Sequence, residues 1–186
     1  MVVVIDYIIT HLSRKYKSIE DVRKEERYME LTSEQLQELV TCKKKMTVFP
    51  KKIFEERNGC RRNDCRLFSE ESQQKFTVFM RQNMMLAENF SVGLIWHAVE
   101  ADAPITIYRC NGRHGGNKNI EHHNACHIHM LNLEKAANNI YKDDDVHITS
   151  KYSTFDEAVY FFCEHCGIVE ANRYFPTAYA IRLFEE

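Results

Sequence analysis

Four stretches between residues 76 and 130 alternate apolar and polar side chains, a period of two that gives an extended strand one buried face. Phe76, Val78 and Met80 alternate with Thr77, Phe79 and Arg81. Val92, Leu94, Trp96 and Ala98 alternate with Ile95 and His97. Ile105 and Ile107 alternate with Thr106 and Tyr108, and Cys126, Ile128 and Met130 with His127 and His129. Residues 65–70 supply a weaker fifth strand. All connections are short except Cys110 to Ala125, so an antiparallel meander of about five strands is the simplest topology.

The flanks of this region keep a helical period. Ile5, Ile8, Ile9, Leu12 and Tyr16 predict an amphipathic helix over 3–16, with a strand over Val2–Ile5 as its competitor. Ser18 caps a second helix over 19–29. Thr32 followed by Gln35 makes a capping box for a third, with Leu36, Leu39 and Val40 inward. Near the other end, Thr154-Phe-Asp-Glu157 is again a capping box, Phe155, Ala158, Val159, Phe162, Cys163 and Cys166 form an apolar stripe, and Gly167 stands at the C′ position. This helix, 155–166, is expected to cover the sheet, and Tyr179–Phe184 to add an edge strand. The whole reads as α+β: a helical N-terminal region over 1–45, then an α+β domain over 46–186 holding the sheet and a histidine-rich segment.

Charge is concentrated in one place. The chain carries a net charge of −2. Yet Lys43, Lys44, Lys45, Lys51, Lys52, Arg57, Arg61, Arg62 and Arg66 oppose only Glu55, Glu56 and Asp64. This segment has two readings, a solvated surface or a phosphate-binding one with Phe49, Phe54 and Phe68 interleaved for base stacking. Its turn signals are Asn58-Gly59 and Arg62-Asn63-Asp64. The seven cysteines have no scaffold spacing, which favours a reducing compartment. Cys163-x-x-Cys166 joined to Cys60 and Cys65 would make a four-thiolate site, but core thiols are the better reading. Asp6 interrupts the apolar start, no cleavage site follows and no run is long enough to span a bilayer, so a cytoplasmic protein with no membrane partner is expected.

Five of the nine histidines, His114, His122, His123, His127 and His129, fall within sixteen residues. On a strand, His127 and His129 share one face. There they can hold a divalent transition metal, with His123 as third ligand, or act as a general acid–base pair, or line the wet side of a sheet. No other cofactor is expected. Arg109, Arg113 and Lys118 are near in sequence and suit a phosphate.

In order, the chain runs Leu-Thr-Ser-Glu-Gln-Leu-Gln-Glu-Leu, Lys-Lys-Lys-Met, Ile-Thr-Ile-Tyr-Arg-Cys-Asn-Gly-Arg-His, His-His-Asn, Cys-His-Ile-His and Tyr-Ser-Thr-Phe-Asp-Glu-Ala-Val-Tyr-Phe-Phe-Cys-Glu-His-Cys-Gly-Ile. Over 31–169 this order resembles a family of small bacterial and phage proteins of unassigned activity. The family has an Arg-x-Asp-like strand, a His-x-Asn loop, a Pro-His-Ile-His strand and a Phe-rich C-terminal helix. The match is closest at His123-Asn124, His127-Ile-His129 and the final helix. Cys126 replaces the family's proline and Asn111 its acidic residue. More remotely the pattern is similar to histidine-rich toxins of toxin–antitoxin pairs. The resemblance implies mobile-element conflict inside a bacterial cell.

Three functions follow. The first is a metal-independent ribonuclease toxin with a cognate antitoxin. In it His127 and His129 are acid and base, His114 or His123 is a third polar group, Arg109 clamps phosphate, and Lys43, Lys44, Lys45, Lys51, Lys52, Arg61 and Arg62 hold nucleic acid. The second is a non-enzymatic, anti-CRISPR-like phage inhibitor of a nucleic-acid-binding host nuclease, which needs no cleft where histidines and a cation meet. The third is a His-ligated metal module.

Overall fold

The computed structural model describes residues 31–99, 103–115, 121–138, 140 and 144–180. The helices expected over 3–16 and 19–29, and the strand alternative at Val2–Ile5, lie outside these residues. The order is α1 (Ser33–Thr41), β1 (Lys45–Val48), β2 (Glu55–Arg57), β3 (Cys60–Ser69), β4 (Gln74–Asn83), β5 (Phe90–Trp96), β6 (Ile105–Asn111), a 3-10 turn (Glu121–Asn124), β7 (His127–Leu131), α2 (Leu133–Ala136), β8 (Asp144–Ile148), α3 (Phe155–His165), a second 3-10 turn (Ala171–Arg173) and α4 (Pro176–Ala180).

The strands form one open antiparallel sheet in the order β1-β3-β4-β5-β6-β7-β8, with β2 also paired to β3. The α+β class and the meander of the central strands are as the alternation predicts. The sheet has eight strands instead of about five. Those missed, β1, β2 and β8, are short, and the side chains described on β1 and β2 are almost all exposed. A solvated edge strand gives no apolar alternation to read.

Three local expectations are overturned. Tyr108, expected outward, is turned into the core beside Phe162 by a bulge between Leu94 and Ile95. Arg62-Asn63-Asp64 is not a turn but the middle of β3. Asn63 is buried there because its Oδ1 accepts from Lys51 N at 2.9 Å and its Nδ2 donates to Lys51 O at 2.8 Å, so the amide is satisfied without water. Tyr179 and Ala180 close α4 instead of opening an edge strand. The Asn58-Gly59 signal does form the β2–β3 hairpin, both residues having positive φ.

Phe76, Val78, Met80, Val92, Leu94, Trp96 and Ile105 point to one side of the sheet, as predicted. On that side Phe155, Ala158, Val159, Phe162 and Cys163 of α3 complete the core. Burial of each large apolar side chain contributes about 1.5–3 kcal/mol. Both halves of the α3 capping box are present, and Gly167, at φ 63°, lets Ile168 N donate back to Cys163 O. Leu36, Leu39 and Val40 of α1 belong to the same core.

Beyond α1, Lys44 pairs in parallel with Ile168. Lys44 is fully buried, and its Nζ donates to Val40 O, Cys42 O and Cys166 O at 2.8–3.0 Å. Its ammonium thus serves carbonyls at the C-terminal ends of α1 and α3.

The cysteines are core thiols. Burial pushes Cys65 and Cys110 up to about 12. Cys60 and Cys65, five apart on one strand, sit on opposite faces, so the four-thiolate site is not formed. No helix among the described residues is long and apolar enough to cross a membrane.

Candidate functional site

The face of the sheet turned away from α3 holds most of the chemistry, and register lays it out in rows. Arg62, Arg81, Ser91, Asn111, His127 and Ile148 occupy one row across β3 to β8. Asp64, Phe79, Gly93, Arg109, His129 and Val146 occupy the next. His127 and His129 therefore share a face opposite Ile128 and Met130, in line with strand alternation.

That face is not wet at His127. The residue is fully buried, and residues 112–115 fold back to meet His123 beside it. The fold-back begins at Gly112, where a Cβ would lie 2.1 Å from Glu88 O. It is held by His114 N and Gly115 N, which donate to His123 O at 3.2 and 3.4 Å.

The hydrogen bonds fix the tautomer of His127. Its Nδ1 lies 2.9 Å from Ala125 O, an acceptor, so Nδ1 carries the proton. In the neutral ring Nε2 is then an acceptor. Asn111 Nδ2 lies 3.2 Å from it and His114 Nε2 lies 3.4 Å from it. Ser91 Oγ donates to Asn111 Oδ1 at 2.6 Å and orients the amide. Below, Tyr152 Oη donates to His127 O at 2.7 Å.

Around this buried ring stand three half-buried imidazoles. The His114 and His123 ring centroids are 4.2 Å apart, those of His114 and His127 5.1 Å, and those of His127 and His129 4.9 Å. Arg109 is the cross-strand neighbour of His129. Thus His114, His123, His127, His129 and Arg109 come together. Arg113 is exposed, and Lys118 and the His122 side chain lie outside what is described. Among the described residues no group of three or more His, Cys, Asp or Glu side chains is placed to hold a metal ion.

The basic segment is divided. Because β3 alternates, Arg61 points to the α3 side and Arg62 to the open face. Lys51 and Lys52 line a groove with Arg61, away from the histidines. Lys45 pairs with Glu70, and Lys43 is exposed beside α1. Lys44 is withdrawn from any surface role, since its burial and three carbonyl acceptors leave nothing for a phosphate.

What joins the histidines on the open face is a different set: Arg57, Arg62, Arg66, Lys75 and Arg81, none of which forms an ion pair among the described residues. Arg81 was legible as an outward partner of Phe76, Val78 and Met80. Asn111 and Ser91 were not, because register across strands is invisible in the chain.

Phe68 and Phe79 lie half-buried among these cations. Phe79 lies across Gly93 so closely that a Cβ there would meet its ring at 2.3 Å. A cleft of about 590 Å³ opens on the same face between Asp64, Arg66, Phe68, Lys75, Thr77 and His97. Unpaired cations beside aromatic rings suit an extended polyanion with planar bases. The chain matches no family model, and neither a curated protein nor a solved structure matches it significantly.

Proposed function

We propose that the protein binds single-stranded RNA across the open face of its sheet and cleaves it by histidine acid–base chemistry at the β6–β7 end. The observation that supports this reading is the gathering of His114 and His123 near Arg109 and His129, at one end of the open face that also bears Phe79.

The roles differ from those expected of the sequence. His127 is fully buried, so it cannot touch a substrate. It holds His114 through the contact between their Nε2 atoms. His114 and His123, half-buried beside it, take the acid and base roles, since both ring nitrogens of His129 are buried as well. One imidazole removes the ribose 2′-hydroxyl proton as that oxygen bonds to phosphorus. The other protonates the departing 5′-oxygen as its bond to phosphorus breaks. The products are a 2′,3′-cyclic phosphate and a 5′-hydroxyl, and Arg109 stabilises the charge that builds on the phosphoryl oxygens.

The convergence of imidazoles beside Arg109 favours an enzyme over an inhibitor that only occupies a partner's nucleic-acid site. The setting of mobile-element conflict, with a cognate antitoxin as partner, is proposed from the resemblance of His123-Asn124, His127-Ile-His129 and the final helix.

The test is decay of total RNA in EDTA by the protein and by its His114→Ala and His123→Ala variants, with end-group analysis. Decay by the unmodified protein, lost in either variant, with cyclic phosphate ends, is the expected result. Equal decay in all three, or none in the unmodified protein, overturns the assignment.

A further inference from the structure

On the α3 side of the sheet, a groove of about 770 Å³ opens beneath the segment that links β1 to β2. It lies away from the histidines and takes no part in the reaction proposed above. Its apolar wall comes from Phe49, Ile53, Phe54, Phe155, Tyr174 and Phe175. Phe49 stacks on Tyr174 with centroids 4.9 Å apart and planes 15° from parallel, yet remains 56% exposed. Ile53 beside it is 83% exposed. An apolar rim this open, on a groove within the usual 300–1,000 Å³ of small-ligand sites, suits a flat ring that covers it.

Four cations and one acid, Asp156, line the same groove. Lys51 is paired with Glu55 and Arg173 with Glu170. Lys52 and Arg61 form no ion pair among the described residues.

Arg61 is held in place. Its guanidinium carbon lies 5.4 Å from the Phe54 ring centroid and 5.5 Å from that of Phe155. Its Nε donates to Gln82 Oε1 at 2.7 Å, and Gln82 Nε2 donates in turn to Ala87 O at 2.7 Å. With Nε committed, the terminal nitrogens make the edge that can take two oxygens of one anion. A fixed guanidinium plus the exposed ammonium of Lys52 matches the two negative charges of a phosphate monoester better than the single charge of a carboxylate.

We propose that this groove binds a nucleoside monophosphate, its base against the Phe49–Tyr174 pair and its phosphate on Arg61 and Lys52. The pocket is a ligand site separate from the RNA face, so the two stand or fall independently. Phe49 supplies a ring face that accepts any base, and selectivity falls to the groove's polar groups.

The experiment is calorimetric titration of the intact protein with AMP, GMP, CMP and UMP, with adenosine and inorganic phosphate as separate arms. At least one monophosphate is expected to bind saturably, about tenfold or more tighter than either half alone, because two sets of contacts are engaged together. Arg61→Lys and Lys52→Gln are each expected to weaken it by about fivefold or more. Lys52 is exposed, so its variant reports on binding even if Arg61→Lys perturbs packing against the two rings. Lys151→Gln, exposed and outside the groove, should leave binding unchanged. Absence of saturable binding by all four monophosphates, affinity for adenosine equal to that for AMP, or binding indifferent to Lys52→Gln would each overturn the proposal. RNA decay in parallel reads the other face, so failure here leaves the cleavage result standing, and the reverse.

Discussion

His114 Nε2 lies 3.4 Å from His127 Nε2, and the proton in that contact belongs to His114, because His127 has committed its own to Ala125 O. The two residues should therefore part company under substitution. His114→Ala, at a half-buried position, is expected to abolish RNA decay while costing about 1 kcal/mol of stability or less. His127→Ala removes a fully buried ring and leaves the Asn111 donor unmet, at about 2–4 kcal/mol. Urea denaturation beside the decay assay reads both. Equal stability loss in the two variants would refute the division of roles.

Lys44 behaves as an internal clasp. Lys44→Ala leaves Val40 O, Cys42 O and Cys166 O short of a donor and opens a void beside Phe76. A loss of about 3 kcal/mol or more is expected. Lys52→Gln, exposed, should stay within about 0.5 kcal/mol. A Lys44→Ala variant that melts like the parent protein would contradict the clasp.

Open-face arginines should show themselves through salt. If Arg62, Arg66 and Arg81 each neutralise one phosphate, the slope of log affinity for single-stranded RNA against log salt falls by about 0.7 on replacing any one with glutamine. Arg61→Gln, on the other face, should leave the slope alone. Fluorescence anisotropy across a salt series measures this.

Acid should weaken the start of α3. Backbone and hydroxyl donors of Ser153, with Thr154 assisting, hold the Glu157 carboxylate below its ordinary 4.5. A depressed carboxyl contributes stability that is complete above its unfolded value and is lost as pH falls through the folded one. Glu157→Gln keeps the capping box and loses only the charge, so it is expected to cost about 0.5 kcal/mol at neutral pH, and the two proteins should converge near the acid end of the window. Denaturant midpoints followed downward from pH 6 check the convergence.

How much of this was readable depends on what each element buries. Phe155, Ala158, Val159, Phe162 and Cys163 announced α3 because one stripe had to be apolar and its capping residues are local. The strands with Phe76, Val92 and Ile105 were equally plain. β2 was silent because Glu55, Glu56 and Arg57 bury nothing. The histidine pair was placed on the correct face by parity alone, yet its burial was hidden. That burial accompanies the return of residues 112–115 onto His123, which depends on Gly112 packing against Glu88 and not on any pattern in the pair itself. The basic segment misled for the opposite reason. Its lysines and arginines look like one cluster along the chain, whereas the pleat of β3 deals them to two faces and Lys44 leaves both.

The contact between Lys44 Nζ and Cys166 O spans 122 residues. On the ribosome, α1 and the basic edge emerge long before the peptide that closes them. Until α3 is released, the Lys44 ammonium remains hydrated and the apolar side of the sheet stays open to chaperones. Dehydration of that ammonium is thus tied to the docking of α3 and not to any event local to α1.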